Sequence, residues 1–168
     1  MAFAAAWIEQ WPAERFAGPV RVIDGDSLAM GERRLRLKGI DAPELDQRCR
    51  REGLEYACGM EARSRLRALV GGDTVSCAVE GVDRYGRDLV RCKAGGRDLN
   101  RMMVRSGHAV SFGDYGDEEA VARQQATGLW AGDFDLPKEW RAVHGGLGED
   151  VHGGFAALRA LLRQVTGL

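Results

Sequence analysis

No apolar run in this 168-residue chain approaches the ~20 residues that a membrane-spanning helix requires, and the longest, Ala2 to Ile8, has seven with no Lys or Arg ahead of it. Neither a transmembrane helix nor a secretory leader is expected, and no membrane partner. The four cysteines contain no C-x-x-C pair and histidine is limited to three residues, so a zinc site is not expected. Net charge is only −1, which gives no overall attraction to nucleic acid or to an anionic membrane. Lysine is scarce as well, since 21 of the 24 basic residues are Arg. That bias suits bidentate phosphate contacts, and a GC-rich genome would produce it equally. The absence of internal repeats and low-complexity tracts excludes a repeat array.

What is present, 45% hydrophobic and 29% charged residues, fits one compact domain with a short appendage. A chain of this size buries roughly 70% of the surface its unfolded form exposes. It needs neither metal nor disulfide merely to fold, so a bound metal would serve function. Charge is unevenly spread: residues 1–110 carry 19 Lys plus Arg against 16 Asp plus Glu, and residues 111–168 carry 5 against 9.

Pro19 to Asp24 reads as a short strand ending in the turn signal Asp24-Gly25, Ser27 to Met30 as a second, and Arg33 to Lys38 as a third whose Leu35 and Leu37 share one face and Arg34 and Arg36 the other. From Gly53 to Val70 apolar residues recur at helical spacing, and Gly71-Gly72 supplies the stop. Val75, Cys77 and Val79 alternate, as do Val90 and Cys92, which predicts a hairpin turning between Arg84 and Tyr85 with Cys77 opposite Cys92 and Val79 opposite Val90. One helix is expected from a cap at Asp98 to about Arg105, and another from about Asp117 to near Gly128. This order makes the chain mainly β with helices packed on a small antiparallel sheet or barrel. The domain is read as 19–143, preceded by an N-terminal extension (1–18) and followed by a Gly-rich hinge and amphipathic helix (144–168). The apolar stripe of that helix is expected to dock on the parent domain.

Two acidic clusters, Asp24-Gly25-Asp26 and Asp41-Ala42-Pro43-Glu44, lie at strand or loop ends. A turn near Gly31 sets Ser27 opposite Arg36, which leaves Asp26 diagonal to Arg36 and near the exit toward Asp41. Carboxylates grouped without His or Cys favour a hard cation such as Ca²⁺ or Mg²⁺, and a solvated acidic loop is the plain alternative. At the second hairpin's tip Tyr85 stands beside Arg84 and Arg87, an aromatic that could stack on a base while the guanidiniums hold phosphate, or an ordinary turn with its Arg in solvent.

VIDGDSL at 22–28, RLKGIDAPE at 36–44, ACGMEARSRLRALVGG at 57–72, DRYGRDL at 83–89, DLNRMMVRSGHA at 98–109 and GLWAG at 128–132 together resemble the thermonuclease family, the staphylococcal-nuclease-like nucleases, in order and spacing over about residues 20–141. The resemblance implies an OB-fold, a five-stranded barrel packed with about three helices. It also implies a Ca²⁺-dependent endonuclease that hydrolyses DNA and RNA, prefers single strands and leaves 3′-phosphates. By resemblance Asp26 and Asp41 look like the carboxylate ligands of calcium, with the main-chain carbonyl of Ala42 beside them. Glu44 looks like the general base or water-orienting carboxylate, Arg36 and Arg87 like the pair on the scissile phosphate, and Arg84 with Tyr85 like nucleotide-contacting positions. Tyr115 is the candidate stacking residue after Ala109, with Phe112 the alternative, in a segment that is short and acidic where family members often carry aromatic and basic residues. Ser27 and Ala42 stand where Thr is common. The chemistry needs these types, because a water must be deprotonated or oriented while charge builds on phosphoryl oxygens, and a cation with two Arg offsets that charge. His108, His144 and His152 lie outside every motif. The chain is expected to act as a monomer on its nucleic-acid substrates. A non-catalytic OB-type binding module is the alternative function, and a partner-binding domain acting through the terminal helix the third. Cys77 and Cys92, opposed on two strands, are within disulfide reach, and Cys49 with Cys58 could staple the loop to the helix start, against four buried thiols; two local bridges would suit a secreted or periplasmic protein, and the compartment stays open.

Overall fold

Residues 14–144 are described by the structure, a computed structural model. The amphipathic helix read after the Gly-rich hinge lies outside the described residues. The chain opens as a meander: β1 (Arg15–Gly18), β2 (Arg21–Val22), β3 (Ser27–Met30) and β4 (Arg33–Leu37). Alternation fixes which face is buried, and the β3–β4 register sets Ser27 opposite Arg36 and Leu28 opposite Leu35, as expected. The strands β8 (Val75–Val82) and β9 (Asp88–Ala94) form the second hairpin, with Cys77 opposite Cys92 and Val79 opposite Val90. Beyond Val79 the register shifts, Val82 lies opposite Asp88, and the turn centres on Tyr85. The expected turn between Arg84 and Tyr85 is displaced by the irregularity around Gly81, whose φ is +146°.

A parallel pairing of β4 with β9 joins the two hairpins, placing Arg36 beside Leu89. The sheet order is β1-β8-β9-β4-β3-β2, and β10 (Arg97–Asp98) adds to β9. It curls into an OB-like half-barrel on which helices pack. β1 pairs with β8, so the sheet takes in Arg15–Gly18, which the sequence reading placed in the N-terminal extension. Two small ladders lie off this sheet: β5 (Ile40–Asp41) with β11 (Val110–Ser111), and β6 (Cys49–Arg51) with β7 (Leu54–Tyr56).

The helices are α1 (Cys58–Val70), α2 (Leu99–Arg105), α3 (Gly116–Gln124) and α4 (Pro137–His144), with a 3₁₀ turn at Gly128–Ala131. Gly71 ends α1 in the left-handed conformation and Asp98 caps α2 by accepting from the Arg101 N–H, both as expected. α1 starts later than its apolar spacing suggested. Glu52 and Gly53 both have positive φ, which builds a two-residue hairpin turn and makes Leu54–Tyr56 a strand. α3 stops before Gly128 because Ala126 turns left-handed and the 128 backbone packs on Gly107. α4 was not anticipated. Disulfides join Cys49 to Cys58 and Cys77 to Cys92.

Leu28, Leu35 and Leu37 from the sheet meet Ala62, Leu66 and Leu69 of α1 and Leu99, Met103 and Val104 of α2 in the main core. Each fully buried Leu contributes on the order of 1.5–3 kcal/mol. Asn100 of α2 is fully buried: it accepts from the Cys92 N–H and donates to the carbonyls of Lys38 and Val90 at 2.9 and 3.0 Å. It therefore ties α2 to the end of β4, just ahead of the second acidic cluster. Among the described residues no helix is long and apolar enough to cross a membrane.

Candidate active site

Two glycines bring the acidic clusters together. A Cβ at Gly25 would lie 2.6 Å from the Cβ of Ala42 and 2.9 Å from that of Ala62, so only hydrogen lets the first loop nest against the second and against α1. A Cβ at Gly59 would lie 1.7 Å from the carbonyl oxygen of Glu44, so the start of α1 packs directly on the backbone of the second loop. Gln47, fully buried, then fixes that loop: its Oε1 accepts from the Glu44 N–H at 3.2 Å and its Nε2 donates to the Asp135 carbonyl at 2.8 Å.

Asp26 and Asp41 are buried, 4% and 2% exposed, and the Arg36 guanidinium lies between them. Its Nη1 donates to Asp26 Oδ1 and its Nη2 to Asp41 Oδ1, each at 2.9 Å. Asp26 also accepts from the Ser27 hydroxyl on Oδ1 and from the Ala42 N–H on Oδ2, and its own N–H donates to Asp24 Oδ1. Burial pushes the Asp26 carboxyl up to about 7, with Arg36 pulling down and Asp24 and Asp41 adding to the rise. The diagonal geometry read from the β3–β4 register is present, extended to Asp41 through one guanidinium.

Sequence reasoning missed the second cation of this cluster. Arg141, on α4, donates Nη2 to Asp41 Oδ2 at 2.9 Å and Nη1 both to Asp41 Oδ1 at 3.1 Å and to Glu44 Oε1 at 2.9 Å. Burial alone would lower its pKa, but the hydrogen bonds to Asp41 and Glu44 hold the guanidinium above its ordinary range. The residue is 97 positions from Glu44, and the only local signal was Pro137 at a helix start with Trp140 and Arg141 one turn on.

Among the described residues Arg87 makes no hydrogen bond or ion pair to this cluster. Asp83 holds it, accepting the Arg87 Nε at 2.7 Å and the main-chain N–H groups of Tyr85 and Arg87 at 2.9 Å. Although burial pushes upward, these hydrogen bonds keep the Asp83 carboxyl below its usual range. Arg87 borders a recess of about 200 Å³ that also touches Asp24 and Ser27, which puts it beside the first acidic cluster. At the tip, Arg84 and Arg87 lie 4.7 and 5.3 Å from the Tyr85 ring centre. Among the described residues Tyr115 makes no hydrogen bond to Asp26, Asp41 or Glu44: its hydroxyl accepts from Arg91, which also binds Asp114 and Glu80. Phe112 is the exposed aromatic next to the site, following a strand in which Val110 pairs with Asp41.

Oxygen donors of the kind a hard cation takes are thus gathered at Asp26, Asp41 and Glu44. Among the described residues no group of three His, Cys, Asp or Glu is arranged to hold a metal ion, and guanidiniums bond to the carboxylate oxygens of Asp26, Asp41 and Glu44. By donor type the set fits such a cation, which would have to take over contacts that Arg36 and Arg141 make here.

The chain is 37% identical over 126 residues to the succinoglycan biosynthesis protein ExoI of Rhizobium meliloti (strain 1021), covering 70% of this chain and 66% of that protein. It is 34% identical over 148 residues to an uncharacterized endonuclease of Escherichia coli O157:H7, covering 80% and 90%. With the probable staphylococcal-like nuclease CAN2 of Oryza sativa subsp. japonica it shares 32% over 123 residues, 69% of this chain and 31% of that protein. The family described as staphylococcal nuclease homologue matches residues 34–132, a span that holds Arg36, Asp41, Ala42, Glu44, Arg84, Tyr85, Arg87 and Tyr115 and leaves Asp26 and Arg141 outside. By that match and by the relative it covers almost end to end, this chain belongs to the staphylococcal nuclease family.

Proposed function

We propose that this nuclease is a Ca²⁺-dependent endonuclease that hydrolyses phosphodiester bonds of DNA and RNA as a monomer, prefers single strands and leaves 3′-phosphates. The observation that carries the reading is the cluster itself: Arg36 spans Asp26 and Asp41 at 2.9 Å on each side, with the Glu44 carboxylate joined to the same Asp41 through Arg141. Asp26, Asp41 and the carbonyl of Ala42 would hold the cation. When bound, calcium would supply positive charge to offset the negative charge that builds on the phosphoryl oxygens, and would favour the ionised form of the buried Asp26 carboxylate. Glu44, half-exposed, takes the proton of the attacking water or orients it. Arg36, released from one carboxylate, and Arg87, oriented by Asp83, hold the phosphoryl oxygens as their charge grows. The water oxygen bonds to phosphorus and gives up a proton to Glu44 or to solvent, the P–O5′ bond breaks, and the leaving oxygen takes a proton from solvent to become a hydroxyl. Arg84 and Tyr85 lie at the hairpin tip where the neighbouring nucleotide would stack, and Tyr115 or Phe112 would cover it from the other side.

Single-turnover cleavage of a short labelled single strand, run beside its binding curve, tests this. Cleavage should require Ca²⁺ and stop in excess chelator. Glu44→Gln should bind the strand and cut it about 100-fold or more slowly. A folded Glu44→Gln protein that cuts at the parental rate would overturn the assignment, as would equal cleavage in chelator for the cation.

A further inference from the structure

A second basic feature shares the sheet face with Arg36 and takes no part in the chemistry above. Register places Arg21 on β2 opposite Ala29 on β3, and Ala29 opposite Arg34 on β4. Three adjacent strands thus present Arg, Ala, Arg in one row, with the two Arg Cα atoms about 10 Å apart at ordinary strand spacing. Arg36 and Ser27 lie two residues further along β4 and β3, on the same face and about 7 Å on. The row lines the 200 Å³ recess that reaches Asp24, Ser27 and Arg87.

Arg21 and Arg34 are exposed and, among the described residues, neither has a carboxylate partner. Their neighbour Arg33 differs, being spent on Glu14 at 2.7 Å and Asp88 at 2.9 Å. Asp24, the carboxylate bordering the recess, already accepts from the Asp26 N–H. Unspent guanidiniums on both sides of a small residue make a shallow trough whose walls donate in the planar fork that phosphate accepts.

We infer that the Arg21–Ala29–Arg34 row is a phosphate-binding track that holds the substrate strand beyond the scissile bond and leads it to Arg87 and Arg36. The inference rests on the nuclease reading and adds to it a subsite for strand length. It also accounts for how a chain of net charge −1 could grip a polyanion: the charge is local to one row.

The test is binding of the full chain to labelled single-stranded DNA, a 12-mer and a trinucleotide, in excess chelator over a series of salt concentrations. Each phosphate neutralised on a single strand contributes about 0.7 to the slope of log K against log salt. The Arg21→Gln/Arg34→Gln variant should lower the 12-mer slope by about 1.4 and weaken 12-mer binding at least about tenfold at low salt. It should also erase most of the preference for the longer strand. Arg67→Gln/Arg105→Gln, on exposed positions of α1 and α2, changes net charge equally and should leave the slope in place. An unchanged slope in the first variant, an equal fall in the second, or no length preference in the parent would overturn the track. Adding Ca²⁺ to the same strand reads the proposed activity separately: binding with the expected slope and no cleavage overturns the activity alone, and cleavage with an unchanged slope overturns the track alone.

Discussion

Arg141 puts both of its Nη groups on carboxylates that a cation would need, so the two compete for Asp41 and Glu44. Arg141→Gln should bind Ca²⁺ roughly tenfold more tightly by calorimetry of the protein alone, because a positive charge within hydrogen-bond distance of the donors is removed. Weaker binding would mean instead that Arg141 holds those carboxylates in place. Most of the cluster was legible from local order: Asp26 and Arg36 are brought together by a hairpin register that alternation alone dictates, and Asp41 follows β4 by a few residues. Arg141 was not, because its contacts cross about a hundred residues and no periodicity encodes them. Gly25 and Gly59 were equally silent, since a glycine needed for close approach looks in sequence like a glycine in a turn.

At the level of elements, strands were easier to read than helix starts. Cys77 opposite Cys92 came from alternation in both strands, whereas Leu54 sits at helical spacing from Ala57 and Cys58 and only the left-handed Glu52-Gly53 pair makes it a strand. α4 escaped notice because eight residues, Pro137 to His144, give barely two turns of apolar pattern. The joint between α2 and the sheet depends on Asn100, which satisfies three main-chain groups around β4 and β9. Asn100→Ala should cost about 2–4 kcal/mol in denaturant unfolding, since buried N–H and C=O groups would be left without partners. A loss below about 1 kcal/mol would show that those groups find other partners.

For the molecule as a whole, acid stability should carry the mark of His108. Burial pulls its pKa below the ordinary value, against the upward pull of Glu61 at 3.5 Å, and Arg65 adds to the fall. Above its unfolded value of about 6.5 the ring is neutral in both states, so its contribution is fully present. As pH falls through that value the unfolded chain takes up a proton that the folded chain does not, and stability is lost down to the depressed folded value. His108→Gln should flatten this limb of a stability-against-pH curve, and an unchanged limb would assign it to other groups. The way α4 is fastened has a mechanical consequence. Gln47 grips Asp135 just ahead of the helix, and Arg141 grips Asp41 and Glu44 from within it. A pull on the chain beyond His144 would therefore reach the candidate catalytic carboxylates before it reached the sheet. Anything that shifts α4 has a lever on the chemistry with its fulcrum at Gln47.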